Sequence, residues 1–577
     1  MKPRSHPNIE PLESRIAPAP IIILPIRPET FTVTNDHDSG TGSLRAALAA
    51  SDGHTPLYGE NTIVFKLPKP PAHGENIITL TTGALTTEGD VNIAGPGAGK
   101  LIINGGGIDR VFSINGTTGL TSISGLSIVN GNTTGYGGGI YSTESLALKN
   151  VVISGNSAGE SGGGIDVAAP GGTLNISDSS IIENTASLTS GGIGFTLEKS
   201  VTISNTLVSA NRITGTNAND RGGGIFGSPA GAGAVVEISG SRISGNTAPA
   251  GGGLYLGGGL GIPAITIKNT KITGNIALNA GDSGGGGLYL AAGNVVIEGS
   301  TIRANTARYN GGGIQAEGIE SLKVSGSTIS SNQTTSSSGG LGGGGLFVEG
   351  SGSTKVPVTI LKSEFSGNQT FGSGGGLYAT TGLALNISGS TFSGNQADEG
   401  GGGIAVFGAI SNAVNVTVTG CTISDNFIPT GDGKGGGFSA EGDVIVTITS
   451  TKVSDNFASS GGGLGISSSA LVKIDKVAVT DNFSKTDGGG IQISQTPNFK
   501  IDGGSITGNG AGDAGGGVFI SGSTGSIDNT VISGNSSATL GGGVCQLGAG
   551  AVALDVSKVT GNDAPMDPNV SGSFVYI

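Results

Sequence analysis

The chain has 577 residues, of which 113 are glycine, and a formal net charge of −13. That charge is spread thinly, which disfavours nucleic acid as a partner, and no apolar run approaches the ~18 residues of a membrane-spanning helix. Aromatic residues make up 4% and tryptophan is absent, so any core has to be thin and built from Val, Ile, Leu and Ala.

In chain order, residues 1–29 read as a disordered leader or export segment. Lys2 and Arg4 are basic, but the apolar patch Ile21–Leu24 is hemmed by prolines and falls short of the roughly 7–15 residues of an ordinary signal peptide. Residues 30–115 read as an N-terminal capping domain with the first rungs of a solenoid. Phe31–Thr34 is a strand, Asn35–Gly42 is rich in turn formers, and Ser43 caps a short helix at Leu44–Ala50 that ends in Ser51-Asp52-Gly53. Such a helix would seal the open end of a stack of repeats.

Residues 116–577 repeat. Fifteen times between Asn156 and Asn562 the chain spells apolar, any, apolar, any, any, small, any, apolar, any, any, Asn. The period is mostly 26–31 residues, stretching to 35 between Asn211 and Asn246 and to 36 between Asn332 and Asn368. A fixed period of this size marks a repeat architecture. Within the phrase apolar residues alternate, as at Val236 and Ile238, and they alternate again after a glycine triplet, as at Leu254 and Leu256. Alternation of β-branched residues is a strand signal. Each period therefore holds at least three short strands, and the fold expected is all-β: a right-handed parallel β-helix of about 15 or more rungs, about 75–90 Å long at strand spacing. The recurring Asn suits a sharp left-handed corner and can bond to the rungs above and below; the glycines suit a second corner. Cys421 takes a slot filled elsewhere by Ser or Thr, and Cys545 lies about four rungs away, too far for a disulfide.

The stretch TVTNDHDSGTGSLRAAL, with NTIVF at Asn61–Phe65 and VNIAGPGAGKLIINGGG beyond it, resembles the CSLREA-type capping domain of bacterial β-helix surface proteins, with Gly42-Ser43-Leu44-Arg45-Ala46-Ala47 in place of the hexad. The GGGI and GN motifs of the repeats resemble those of polymorphic outer-membrane proteins, and Ile9–Ala19 resembles the LEPR-type leader of large exported bacterial proteins. The resemblance implies a secreted or outer-membrane-associated protein on display at the cell surface. Proteins of that kind usually end in a β-barrel translocator, whereas about fifteen residues follow Asn562, so self-transport by this chain is not expected.

Equivalent positions of a solenoid form columns, and three could carry chemistry. The residue after each glycine-triplet apolar unit points outward; there stand Phe226, Tyr255 and Tyr289 on successive rungs, then Gln315, then Phe347 and Tyr378, with Tyr141 and Phe519 elsewhere. Stacking of these rings on one another or under the glycine-rich loops is the weightier reading, and an exposed stripe for sugars or a partner protein the other. Asp475, Asp502, Asp528 and Asp555 share one phrase position on four rungs; turn preference explains them first, and a Ca2+ site second. Asp425-Asn426-Phe427, Asp455-Asn456-Phe457 and Asp481-Asn482-Phe483 form the third column, read as solvated corners with packed rings.

Many β-helices degrade polysaccharides, so a lyase or hydrolase is the alternative to a binding protein. Such an enzyme needs bases among its acids. All four histidines (His6, His37, His54, His73) precede the repeats. Arg242 and Lys271 share a column beside the insertion Thr214–Gly224 but have no evident acid partner. The reading is a monomeric protein that works by contact with a polysaccharide or cell-surface protein, requiring no cofactor, with a purely structural envelope rod as a third possibility.

Overall fold

The computed structural model describes residues 27–577 except 57–58, 70–73, 198, 218, 230, 232, 258–260, 279–283, 338–339, 351–353, 410–411 and 430. The leader motif Ile9–Ala19, His6 and His73 lie outside the described residues. The chain winds into a parallel β-solenoid of about 18 turns. One turn shows the plan. Val235–Ser239 lies in a first sheet, Arg242–Ser244 in a second, Thr247–Ala248 in a short third and Leu254–Gly257 in a fourth. Each strand pairs in parallel with its equivalent one turn on, for example Val236 with Ile265, Ile243 with Ile272 and Tyr255 with Tyr289. At strand spacing, 18 turns give a rod of about 85 Å. The stacks cross residue 115 without a seam, since Phe112–Ile114 pairs with Ile140–Ser142 as any other rung does.

The alternation in the sequence is the alternation between core and solvent. Val236, Ile238, Ile243, Leu254 and Leu256 are at most 1% exposed, whereas Glu237 between the first two faces water. One such turn buries too little to stand alone, and stacking joins these residues into one continuous core.

Two polar ladders run through the turns of the coil. Asn246 Nδ2 donates to Val208 O at 3.0 Å and to Asn275 Oδ1 at 2.9 Å, and the same Oδ1 accepts from Asn246 N at 3.0 Å. The pattern holds from Asn156 to Asn535, including across both long periods. The small position of the phrase forms the second ladder: Ser241 and Thr270 hydroxyls donate to the carbonyls two residues back, and Cys421 Sγ does the same toward Thr419 O at 3.4 Å. Cys421 and Cys545 are both free and buried.

The left-handed corner differs from the one anticipated. The Asn is not the left-handed residue; the position before it is, as at Gly245 (φ 64°), Ala210 (55°), Ser331 (54°) and Asp455 (59°). The Asn is instead buried for its amide, which needs both its donor and its acceptor inside the stack. The third glycine of each triplet is locked to this ladder. A Cβ on Gly253 would lie 2.5 Å from Gly287 O and 3.0 Å from Asn275 Cγ, so glycine and Asn recur together because each fills space beside the other.

The helix at the open end spans Leu44–Asp52, with Ser43 Oγ accepting from Ala46 N. Leu44 and Leu48 bury against the first turns. Arg45 ties the cap to the first turns: it pairs with Asp38 at 2.6 Å and donates to Ala84 O and Gly83 O. Burial alone would raise the Asp38 carboxyl, but the bonds from Arg45, Thr81 and Thr82 outweigh it and hold it well below the usual range.

Candidate functional site

The outer face of the fourth sheet carries the aromatic column. Phe226, Tyr255, Tyr289, Gln315, Phe347 and Tyr378 are paired in register on consecutive strands, as their spacing predicts. Their rings stack: 5.5 Å between Phe226 and Tyr255, 4.7 Å between Tyr255 and Tyr289, 5.7 Å between Phe347 and Tyr378. They do not form an open stripe. Tyr255 is 5% exposed, Tyr289 and Tyr378 are 8%, and Phe347 is 0%. The reason is the first glycine of the triplet. At Gly251 (φ 58°) the chain folds back over its own next strand, so closely that a Cβ would lie 2.8 Å from Tyr255 Cβ. The residues before the triplets bridge turn to turn, as Thr189, Arg221 and Ala250 do, and roof the column. Arg221 completes the cover over Tyr255, with its guanidinium 4.8 Å from the ring centre and Nη1 donating to the hydroxyl at 2.6 Å. Burial, eased by Arg221, pushes the Tyr255 hydroxyl above its usual pKa.

The column is filled where its residues are large and hollow where they are small. Between Tyr141 and Phe226 the column reads Asp166, then Gly194. A cavity of about 450 Å³ opens there, lined by Tyr136, Tyr141, Asp166, Thr196 and Phe226 among others. After Tyr378 it reads Ala405, Ser439, Gly465, and a second cavity of about 320 Å³ lies there with Glu399, Lys434 and Glu441 at its rim. Asp166 is 8% exposed. Burial raises its pKa to about 6, against the lowering effects of Ser161 and Arg110. The small residues that interrupt the ring column mark these hollows only once the register has placed them beside Tyr141 and Phe226.

The acidic column is assembled as its register implies for Asp475, Asp502 and Asp528, with Asp555 following the strand that continues it. A lysine stands among the carboxylates. Lys500 Nζ lies 3.0 Å from Asp502 and 3.5 Å from Asp528, and Asn529 Nδ2 donates to Asp502 at 3.2 Å. The Lys500 and Asn529 bonds hold the Asp502 carboxyl below its usual range. Among the described residues no three Asp, Glu, His or Cys side chains are grouped so that they could hold a metal ion.

The third column leaves two of its three rings exposed. Asp425, Asp455 and Asp481 are left-handed corners (φ 59°, 59° and 56°), and Asn426, Asn456 and Asn482 belong to the buried ladder. Phe427 is 37% and Phe483 47% exposed, with Phe457 half-buried between them. Phe457 and Phe483 stack at 6.0 Å and 3°, and Lys485 Nζ sits 5.5 Å from the Phe457 ring centre. Ring packing was the expectation here. Phe457 and Phe483 do pack on each other, but from the outer side of the short third sheet, where among the described residues Phe427 and Phe483 stay exposed.

The sequence model for the right-handed β-helix region matches residues 223–414 and 409–565, together more than half of the chain. The chain belongs to that family. A crystal structure of PfbA, a surface adhesin of Streptococcus pneumoniae, aligns over 92% of this chain and 88% of its own at 10% identity, with a TM-score of 0.18. So loose a superposition carries no argument about function. No curated protein matches the sequence.

On this right-handed β-helix the basic pair is placed as its column implies: Arg242 and Lys271 are adjacent in register on the second sheet. Both are exposed. Arg242 Nε donates to Ser244 Oγ, and among the described residues neither cation is in ion-pair contact with a carboxylate. A base and an acid acting on one glycosidic linkage have to flank it, and this pair supplies only one half of that arrangement.

Proposed function

We propose that this right-handed β-helix works by contact, after export or on display at the cell surface, as a monomer that adheres to a polysaccharide or cell-surface protein without catalysis and without a required cofactor. The Phe427–Phe457–Phe483 column carries the reading. Two exposed rings with a half-buried one between them, on consecutive turns, cost free energy unless something covers them, and the rigid stack below fixes their spacing at about 4.8 Å per turn. The exposed Asp455 and Asp481 beside them and Lys485 over one ring give the patch a polar rim. The resemblance to polymorphic outer-membrane repeats supports the surface setting. Among the described residues no helix is long and apolar enough to cross a membrane.

The test is retention of the fluorescently labelled full chain on a panel of immobilised polysaccharides and on bacterial and host cells. The variant Phe427→Ser/Phe457→Ser/Phe483→Ser should lose at least about tenfold in affinity, the worth of one buried aromatic contact. Equal retention of variant and wild type would remove the Phe column from the function. That result would favour the purely structural rod, a reading that the burial of Tyr255, Tyr289, Phe347 and Tyr378 supports.

A further inference from the structure

The hollow over Gly194 lies on a different sheet from the Phe column, and its chemistry is of a different kind. Its walls are aromatic: Tyr136 and Tyr141, with ring centres 6.1 Å apart, on one side and Phe226 on the other. Its floor is polar. A Cβ at position 194 would strike Ser190 Oγ at 2.4 Å and Asp166 Oδ2 at 2.8 Å, so the glycine exists to let that carboxylate lean across the next turn. Ser161 and Thr189 add hydroxyls that are already oriented, Thr189 Oγ1 donating to Ser161 Oγ at 2.9 Å and Ser161 meeting Ser190 at 2.7 Å. Asp166, nine-tenths buried, is the only column residue here with a formal charge, and the volume of about 450 Å³ falls among small-molecule sites.

We propose that this hollow binds one neutral hexopyranose ring, its C–H face against Tyr136 and Tyr141 and its hydroxyls donating to Asp166. The ligand is neutral because the positive charge is already present: the Arg110 guanidinium lies 5.0 Å from the Tyr141 ring centre, and its charge acts on Asp166. A cationic ligand would compete with Arg110, and an anionic one would meet the carboxylate of Asp166. A pyranose offers what the walls ask for, one apolar face and a rim of donors, and a carboxylate acceptor makes the stronger class of hydrogen bond.

The test is saturation-transfer NMR on the full chain with methyl glucoside, methyl galactoside, methyl mannoside and tetramethylammonium, each titrated separately. At least one glycoside should receive saturation, strongest on the ring protons of one face. Its affinity should fall about tenfold in Asp166→Asn, which keeps the shape of the site, and in Tyr136→Ala, whose ring is 45% exposed and whose loss leaves the core intact. Phe457→Ser should leave it unchanged, so failure here is separable from failure of the Phe column. No saturation of any glycoside would overturn the proposal, as would a glycoside signal indifferent to both variants. Saturation of tetramethylammonium alone would also overturn it and make the hollow an amine cage.

Discussion

Replacing Asn305 by Ala removes one link from the buried amide ladder, and its cost can be worked from the bonds it breaks. Asn305 Oδ1 accepts from Asn275 N at 3.0 Å and Asn275 Nδ2 at 2.9 Å; Asn305 Nδ2 donates to Ile272 O at 3.0 Å and to Asn332 Oδ1 at 3.0 Å. Four bonds are lost at about 1 kcal/mol each, so the local cost is about 4 kcal/mol, and more if the orphaned Asn275 N–H finds no water. A stacked repeat transmits such damage mainly to its neighbours, and a global unfolding midpoint is a poor reporter of it. Hydrogen exchange read by mass spectrometry is the better assay. Peptides covering 268–306 should exchange about 1,000-fold faster where opening limits exchange, while peptides near 480–510 stay unchanged. An acceleration below about tenfold in the first window would refute the bond count. Equal acceleration in both windows would refute the locality.

Three further outcomes follow from the same geometry. Gly253→Ala should cost about 3 kcal/mol or more because its Cβ would overlap Gly287 O, whereas Gly274→Ala, left-handed at φ 66° but with open space beyond, should cost about 1 kcal/mol; equal costs in urea unfolding would contradict the lock between glycine and Asn. Asp166 has a folded pKa of about 6, above its ordinary 3.8, so its contribution favours folding at low pH and is lost as pH rises through about 6, by up to about 3 kcal/mol. Asp166→Asn should therefore gain stability relative to wild type between about pH 4 and about pH 8, and a difference that stays flat with pH would show that the carboxyl is not held in that state. Lys500→Ala should let the Asp502 carboxyl rise toward its ordinary value, seen by carbon NMR titration; an unmoved titration would mean that Lys500 is not the counter-charge of the acidic column.

The coil was legible because period and alternation are one-dimensional signals. Val236 and Ile238 announce an inward face whatever the rest of the chain does, and the fifteen Asn mark the turns. The registers of Tyr255, Asp502 and Phe457 with their neighbours were legible for the same reason. Exposure was not. A side chain pointing away from the core is open only if nothing folds over it, and that depends on the path taken at Gly251 rather than on the strand that carries Tyr255. The same limit hid the exposure of Phe427 and Phe483. Asn tolerates the corner conformation, yet Gly245 and its equivalents bear the left-handed φ, and the amide serves the stack. The hollow at Gly194 went unread because an absent side chain gives no signal until its neighbours are placed.

The claim that this β-helix acts by contact is tested most directly by incubating the full chain, with calcium present, against neutral and acidic polysaccharides and measuring new reducing or unsaturated ends alongside binding. Retention on at least one polymer or cell surface with no new ends is the outcome that contact without catalysis predicts. Release of ends from any polymer would contradict it and make the chain an enzyme, with Arg242, Lys271 and the carboxylates around the second hollow, Glu399 and Glu441, as the first residues to replace.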